Sequence, residues 1–206
     1  NKVEPPVFLS REQRLLAGEK LRESVPRTSH AEWNPPADHR DPIAIMEESN
    51  RDRVPELIPL RYGRMLASPF TFLRGSAALM AYDLAATPTT GLRVQACGDC
   101  HLLNFGMYAT PERNLVFDLN DFDETLPAPW EWDLKRLAIS FAVAAQDNRF
   151  SGKDAKVSAI ECVRAYREHL RECSTKSPLD VWYERVDVKS VIKQAPDAEA
   201  KKTREK

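Results

Sequence analysis

The sequence predicts an α+β fold, mostly helical with a small antiparallel β hairpin or sheet, on three observations. Apolar residues recur at helical spacing on both sides of the centre: Phe72, Leu73, Ala77, Met80 and Leu84, then Val157, Ile160, Val163, Tyr166 and Leu170. In the middle lie two short strand-like runs, Leu92–Ala96 and Leu115–Leu119, and Thr110-Pro-Glu-Arg-Asn114 has turn chemistry, so residues 104–120 read as a hairpin. At 206 residues the chain is long enough to bury ~70% of its extended surface in one domain, or to form two small subdomains.

Taken in order, residues 1–9 are Pro-rich and read as extended. Ser10-Arg-Glu-Gln13 matches a capping box and opens a helix to about Val25, where Pro26 stops it. Its apolar face, Leu15, Leu16 and Leu21, is thin and suits the surface. Residues 26–40, with three prolines and two histidines, form an irregular connector. Asp41-Pro42 reads as an N-cap with Pro at N1, starting a short helix through Glu48. A second helical stretch follows Pro59, and Ser68-Pro69 starts a longer helix from Phe70 to Ala86. Thr87–Gly91 turns the chain into the first strand. Asp133 begins a helix with Leu134, Leu137, Phe141 and Ala145 on one face and Lys135, Arg136 and Gln146 elsewhere. Ser151 to Cys173 is a further helix, with an Arg164–Glu168 pair on its wet side.

Composition excludes several classes. Net charge is −1, so nothing broad in the electrostatics favours nucleic acid or an anionic membrane. No apolar run approaches the ~20 residues that span a bilayer. Four irregularly placed cysteines and no visible signal peptide point to a reducing cytoplasm. The chain begins Asn1-Lys2, so a removed leader is compatible with it. Residues 178–206 lose apolar content and end without a stop signal, as a fragment of something longer would. The organisation expected is an N-terminal helix and connector (1–40), a core (41–175) and a polar segment leading to a missing region (176–206).

The chemistry concentrates between Cys97 and Arg136. In Gly98-Asp99-x-His101-x-x-Asn104, Asp99 suits a base for a substrate hydroxyl and the Asn104 carbonyl suits Mg²⁺. Asp121 and Asp123 end a strand and offer oxygen ligands to a hard cation. Each of these acids taken alone is as well explained by turn capping. Together at a hairpin base they read as a site. Arg74 is either a partner for phosphate or carboxylate or a surface arginine. Trp130 and Trp132 are read as packing residues.

These residues resemble a family pattern. HGDxxxxN, then a strand-borne (I/L)DF(D/G), then a helix-starting Asp mark aminoglycoside- and choline-kinase-like phosphotransferases, relatives of protein kinases. The corresponding runs are Cys97-Gly-Asp99-Cys-His-Leu-Leu-Asn104, Asn120-Asp121-Phe-Asp123 and Trp132-Asp133-Leu. More closely, RYGRM (from Arg61), SPFTFLRG, CGDCHLLNFG, FDLNDFDET and WEWDLKRLAIS are similar to the bacterial domain-of-unknown-function family 2252, over about residues 20–175. The kinase-like resemblance implies the C-terminal lobe of a kinase-like fold, Mg²⁺ and ATP as cofactors, and an unidentified small-molecule or protein acceptor. It implies Asp99 as catalytic base, Asn104 and Asp121 as metal ligands, Asp123 as a third, and Asp133 as an acid that caps its helix and braces the loop. Cys97 stands where the pattern has His. No G-x-G-x-x-G loop is present among seven glycines, so the phosphate clamp is expected in a region the chain lacks, leaving this fragment inactive alone.

Other readings compete. A non-catalytic kinase-like binding module would keep the acids for structure, and nucleotidyl transfer would use the same parts. Cys97-Gly-Asp-Cys100-His101 is a literal C-x-x-C-H, the attachment sequence of c-type haem, though set between strands rather than on a helix. Zinc on Cys97, Cys100 and His101 would need a fourth ligand such as Cys162, Cys173 or another His. Without one, His101 reads as a loop-bracing imidazole.

Overall fold

Short polar residues set most of the helix starts. In the computed structural model, which describes residues 9–33 and 41–188, α1 (Arg11–Ser24) opens on the expected capping box. Gln13 N donates to Ser10 Oγ at 3.2 Å and Ser10 N to Gln13 Oε1 at 2.8 Å. None of its residues is buried, as the thin apolar face requires. The connector holds a short 3₁₀ turn, Arg27–Ala31. Asp41 caps α2 (Pro42–Glu48) through the amides of Ile43 and Ala44. The expectations for residues 1–8, 34–40 and 189–206 lie outside the described residues.

α3 (Ile58–Met65) is followed by α4 (Pro69–Gly75) and α5 (Ala77–Ala85), so the single helix expected over 70–86 is broken at Ser76. Two arginines account for the break. Arg61 Nη2 donates to Gly75 O at 2.6 Å and Arg136 Nη2 to Leu73 O at 2.7 Å, taking carbonyls near the end of α4. Gly75 also lies so close to Met65 that an added Cβ would meet the thioether at 2.5 Å. Met65 packs with Met46 and Leu79 in a small apolar cluster flanked by Ile45 and Tyr62.

β1 (Arg93–Ala96) leads into the central loop. The hairpin forms as expected: β2 (Phe105–Ala109) and β3 (Leu115–Leu119) pair antiparallel, from Phe105 opposite Leu119 to Ala109 opposite Leu115. The stretch before Trp130, assigned no strand from the sequence, is β4 (Leu126–Pro129), antiparallel to β1 with Ala96 opposite Leu126. Its two prolines suit an edge strand, since they cannot donate to a ladder.

α6 (Trp130–Asp147) starts three residues before Asp133, so Asp133 lies in its first turn and is not its cap. Residues buried on α6 are Glu131, Arg136, Ser140 and Ala145, so of the expected apolar face Ala145 is buried while Leu134, Leu137 and Phe141 are half-buried. α7 (Gly152–Cys173) opens at Ser151 and packs along α6, with Tyr166 stacked on Trp130 at 6.0 Å. Most of its apolar stripe stays exposed: Val157, Ile160 and Val163 keep 41–51% of their accessibility. Beyond it, α8 (Pro178–Trp182) and β5 (Val186–Asp187) bring the chain back to pair with β3. The result is mostly helix around small antiparallel sheets, and no helix among the described residues is long and apolar enough to cross a membrane.

Ser140, fully buried, joins α6 to the central loop: Leu102 N donates to its Oγ at 2.9 Å, and Oγ donates to Leu137 O at 2.7 Å. Ser140→Ala strands the Leu102 amide and is expected to cost about 1–3 kcal/mol. Urea unfolding should show a lower midpoint at unchanged slope.

Candidate active site

Three groups at helical spacing on α6 reach into the loop that follows β1. The first, Asp133, accepts from Cys97 N at 2.7 Å through Oδ2 and from Gly98 N at 3.1 Å through Oδ1. Hydrogen bonds to a charged acceptor contribute about 1.5–3 kcal/mol each. Asp133 thus caps the two amides that enter this loop rather than its own helix. Gly98 turns the chain with φ +81°, and a Cβ there would fall 2.0 Å from Glu124 O, so no larger residue fits. Two further bonds close the loop, His101 N to Asp99 O at 2.9 Å and Asn104 N to His101 O at 2.8 Å.

Arg136, one turn after Asp133, holds Asp99. Its side chain is 2% exposed, and Nε and Nη2 both donate to Asp99 Oδ1, at 2.8 and 2.5 Å. Asp99 Oδ2 is left with His101 Nε2 at 3.7 Å. His101 is buried edge-on against Phe70, and its Nδ1 has no hydrogen-bond partner among the described residues. Burial lowers its pKa, with Arg136 and Arg74 acting the same way and Asp99 opposing, so near neutral pH the ring is uncharged. Asp99, His101 and Asp121 open on a cleft of about 900 Å³ whose other walls come from residues 52–75.

A family model described as "Uncharacterized protein conserved in bacteria (DUF2252)" matches residues 53–206. The chain belongs to the DUF2252 family. The match starts later and runs further than the similarity read from the motifs. It takes in the whole loop and nearly all of the cleft. Neither the curated proteins nor the solved structures compared with the chain gave a match.

Within this DUF2252 chain the predicted residues are only partly gathered. Asp99, Asp121, His101 and Arg74 line the one cleft. Asp123 lines a separate, more apolar cavity of about 360 Å³, together with Gly98, Trp132 and Asp133. Its amide donates to Asp121 Oδ1 at 3.1 Å, which ties the two acids in an Asx turn while their side chains serve different spaces. Asn104 is buried, and its Nδ2 donates to Asp99 O at 3.0 Å and Asp121 O at 3.2 Å. The loop and the strand end therefore meet at Asn104. With the amide nitrogen so committed, the amide oxygen is the group left for a hard cation.

Cys97 and Cys100 are free and buried. The hydrogen bond between their side chains lowers the pKa of Cys97 and, together with burial, raises that of Cys100. Cys97 Sγ also lies 3.7 Å from Asp121 O, so at the position where the pattern has His a thiol still touches the strand end. The two sulfurs and His101 do not converge on one point as zinc ligands would. Among the described residues, the one group of three with metal-ligand spacing is His169, Cys173 and Glu184, which lies away from the loop and whose Glu184 is ion-paired with Lys176 at 2.6 Å.

The sequence reading missed Arg136, placing it off the core-facing side of its helix. A signal existed: Asp133, Arg136 and Ser140 are polar residues at i, i+3 and i+7, one stripe on a helix. It also missed Arg53, Arg61 and Arg64, which line the cleft with Arg74.

A pH dependence follows from His101. Its folded pKa lies below the ordinary 6.5, so above about pH 6.5 the imidazole is neutral in both states and costs nothing. As pH falls below about 6.5 the unfolded chain binds a proton that the folded site resists, so stability drops until the folded pKa is reached. His30, lowered mainly by burial, adds in the same direction. Urea midpoints at about pH 7.5 and pH 5 should differ less in His101→Gln than in wild type, with a residual slope from His30.

Proposed function

We propose that this chain carries the catalytic half of a kinase-like phosphotransferase, transferring phosphate from Mg-ATP to an acceptor held in the large cleft. The observation that carries the reading is Asp99. One carboxylate oxygen is fixed by Arg136, the other lies 3.7 Å from the uncharged imidazole of His101, and the residue lines the cleft. A carboxylate held this way can orient an acceptor hydroxyl and take its proton without searching rotamers.

The residues fit the cation that such chemistry uses. The Asn104 amide oxygen and the Asp121 carboxylate are hard oxygen donors on two segments that the bond from Asn104 Nδ2 to the Asp121 main-chain carbonyl ties together. Asn104 and Asp121 would hold Mg²⁺, with Asp123 a further ligand if its side chain leaves the smaller cavity. Bound there, Mg-ATP supplies the transferable phosphoryl group and neutralises charge developing on it. The chain's own contribution is to hold Asp99, Asn104 and Asp121 in one frame, through Arg136, Cys97 and the Asn104 amide.

A second reading has its own observation. The Asp99–Arg136 pair, with Arg136 buried, is also what a purely structural tie looks like, and a non-catalytic binding module would retain it.

Thermal-shift titration with Mg-ATP separates the two. Wild type is expected to gain apparent stability, about 2.7 kcal/mol at a ligand concentration 100 times Kd, and Asp121→Asn to lose that gain. Asp99→Asn keeps a hydrogen-bond acceptor for Arg136, so it should still bind Mg-ATP while any turnover falls about 10²–10⁴-fold. No shift in wild type, or equal shifts in wild type and Asp121→Asn, would favour acids that serve the fold.

A further inference from the structure

Four arginines, Arg53, Arg61, Arg64 and Arg74, line the cleft into which Asp99 and Asp121 open. Their neutralisation is uneven. Arg53 is paired with Glu124 at 3.3 Å. Arg61 spends donors on neutral oxygens, Asn50 Oδ1 at 2.5 Å and Gly75 O at 2.6 Å, so its charge is fixed in place with no carboxylate of a described residue in contact. Arg64 and Arg74, both exposed, make no hydrogen bond or ion pair with any described residue. The acids on the cleft wall do not cancel this. Asp99 is already matched by buried Arg136, which leaves Asp52 and Asp121, and a cation on Asp121 would remove that charge as well.

Three guanidinium groups without carboxylate partners therefore face one cavity. Burial, then the neighbouring Arg53, lowers the pKa of Arg61, with Tyr62 and Glu124 opposing. Planar guanidinium forks match phosphate oxygens in pairs, which lysines cannot do. At about 900 Å³ the cleft has the size of a small-molecule site. Exposed apolar residues Val54, Leu57 and Leu60 on the same wall supply contact area for the uncharged part of such a molecule.

We propose that this cleft is an anion site in which Arg64 and Arg74, backed by Arg61, hold a phosphate or pyrophosphate group of a small molecule beside Asp99. The inference deepens the phosphotransferase reading. Whose phosphate is bound rests on that reading, while the anion site itself does not.

The test is isothermal titration with inorganic pyrophosphate in EDTA, so that no divalent cation takes part. Wild type is expected to bind saturably, less tightly as salt rises, as pairing of exposed charges requires. Arg64→Gln/Arg74→Gln should weaken binding at least about tenfold, roughly 1.4 kcal/mol, with Arg64→Lys/Arg74→Lys recovering part of it. Both positions are exposed, and unchanged thermal unfolding of the free variants verifies that the fold persists. Absence of saturable binding in wild type, or equal binding by wild type and the Gln variant, would overturn the proposal. Repeating the titration with saturating Mg-ATP assigns the source. Competition means that the arginines hold nucleotide phosphates, and independent binding means that they hold an acceptor's, and each result supports the anion site. Asp121→Asn in EDTA should bind pyrophosphate at least as well as wild type, so failure of the metal-nucleotide reading would not be mistaken for failure of this one.

Discussion

The buried contact between Arg136 and Asp99 is the constraint on which the rest of the site depends. A guanidinium removed from water must be surrounded by acceptors, and this one has them: Asp99 Oδ1 twice, Leu73 O, and the Met80 thioether at 3.3 Å. One side chain of α6 therefore reaches the β1 loop, the end of α4 and the face of α5. Such a pair adds little net stability compared with a well-packed apolar alternative, yet removing one partner from a buried pair costs about 3–5 kcal/mol. Its effect here is positional. Arg136 fixes the carboxylate in space and, by drawing on a carbonyl of α4, contributes to the break that keeps α4 and α5 apart.

Around this contact the loop is over-determined. Asp133 fixes the amides entering it, Ser140 the amide of Leu102, and the Asn104 amide joins its backbone to the strand end at Asp121. The anchors on α6 fall one helical turn apart, so a single rigid element sets the register of the whole loop. A site assembled in this way is preorganised, which is the property that electrostatic catalysis draws on. The same rigidity would serve a binding site equally well.

Local chemistry made much of this legible. The Ser10 capping box, the helix start at Ser151, the Asp41-Pro42 start and the 104–120 hairpin each depend on residues close in sequence, and all are present. What escaped depends on distant partners. β4 was hidden because Leu126-Pro-Ala-Pro129 has turn composition and becomes a strand only beside β1. The break at Ser76 comes from Arg61 and Arg136, one upstream and one 60 residues downstream of the break. Arg136 itself was passed over because burial of an arginine is favourable only when its acceptors are known. The candidate residues were readable as a set, but their division between two cavities, with Asp123 apart from Asp99 and Asp121, was not.

Taken together, a carboxylate held by one oxygen, hard oxygen donors at Asn104 and Asp121, and arginines unmatched in the cleft are the observations behind the phosphoryl-transfer site proposed for this DUF2252 chain. Diffraction from crystals grown with Mn²⁺ and a non-hydrolysable ATP analogue, read by anomalous scattering, bears most directly on that account. It predicts a manganese peak between the Asn104 amide oxygen and the Asp121 carboxylate, with phosphate density beside it. A peak only at His169, Cys173 and Glu184, or none near the loop with nucleotide present, would contradict it.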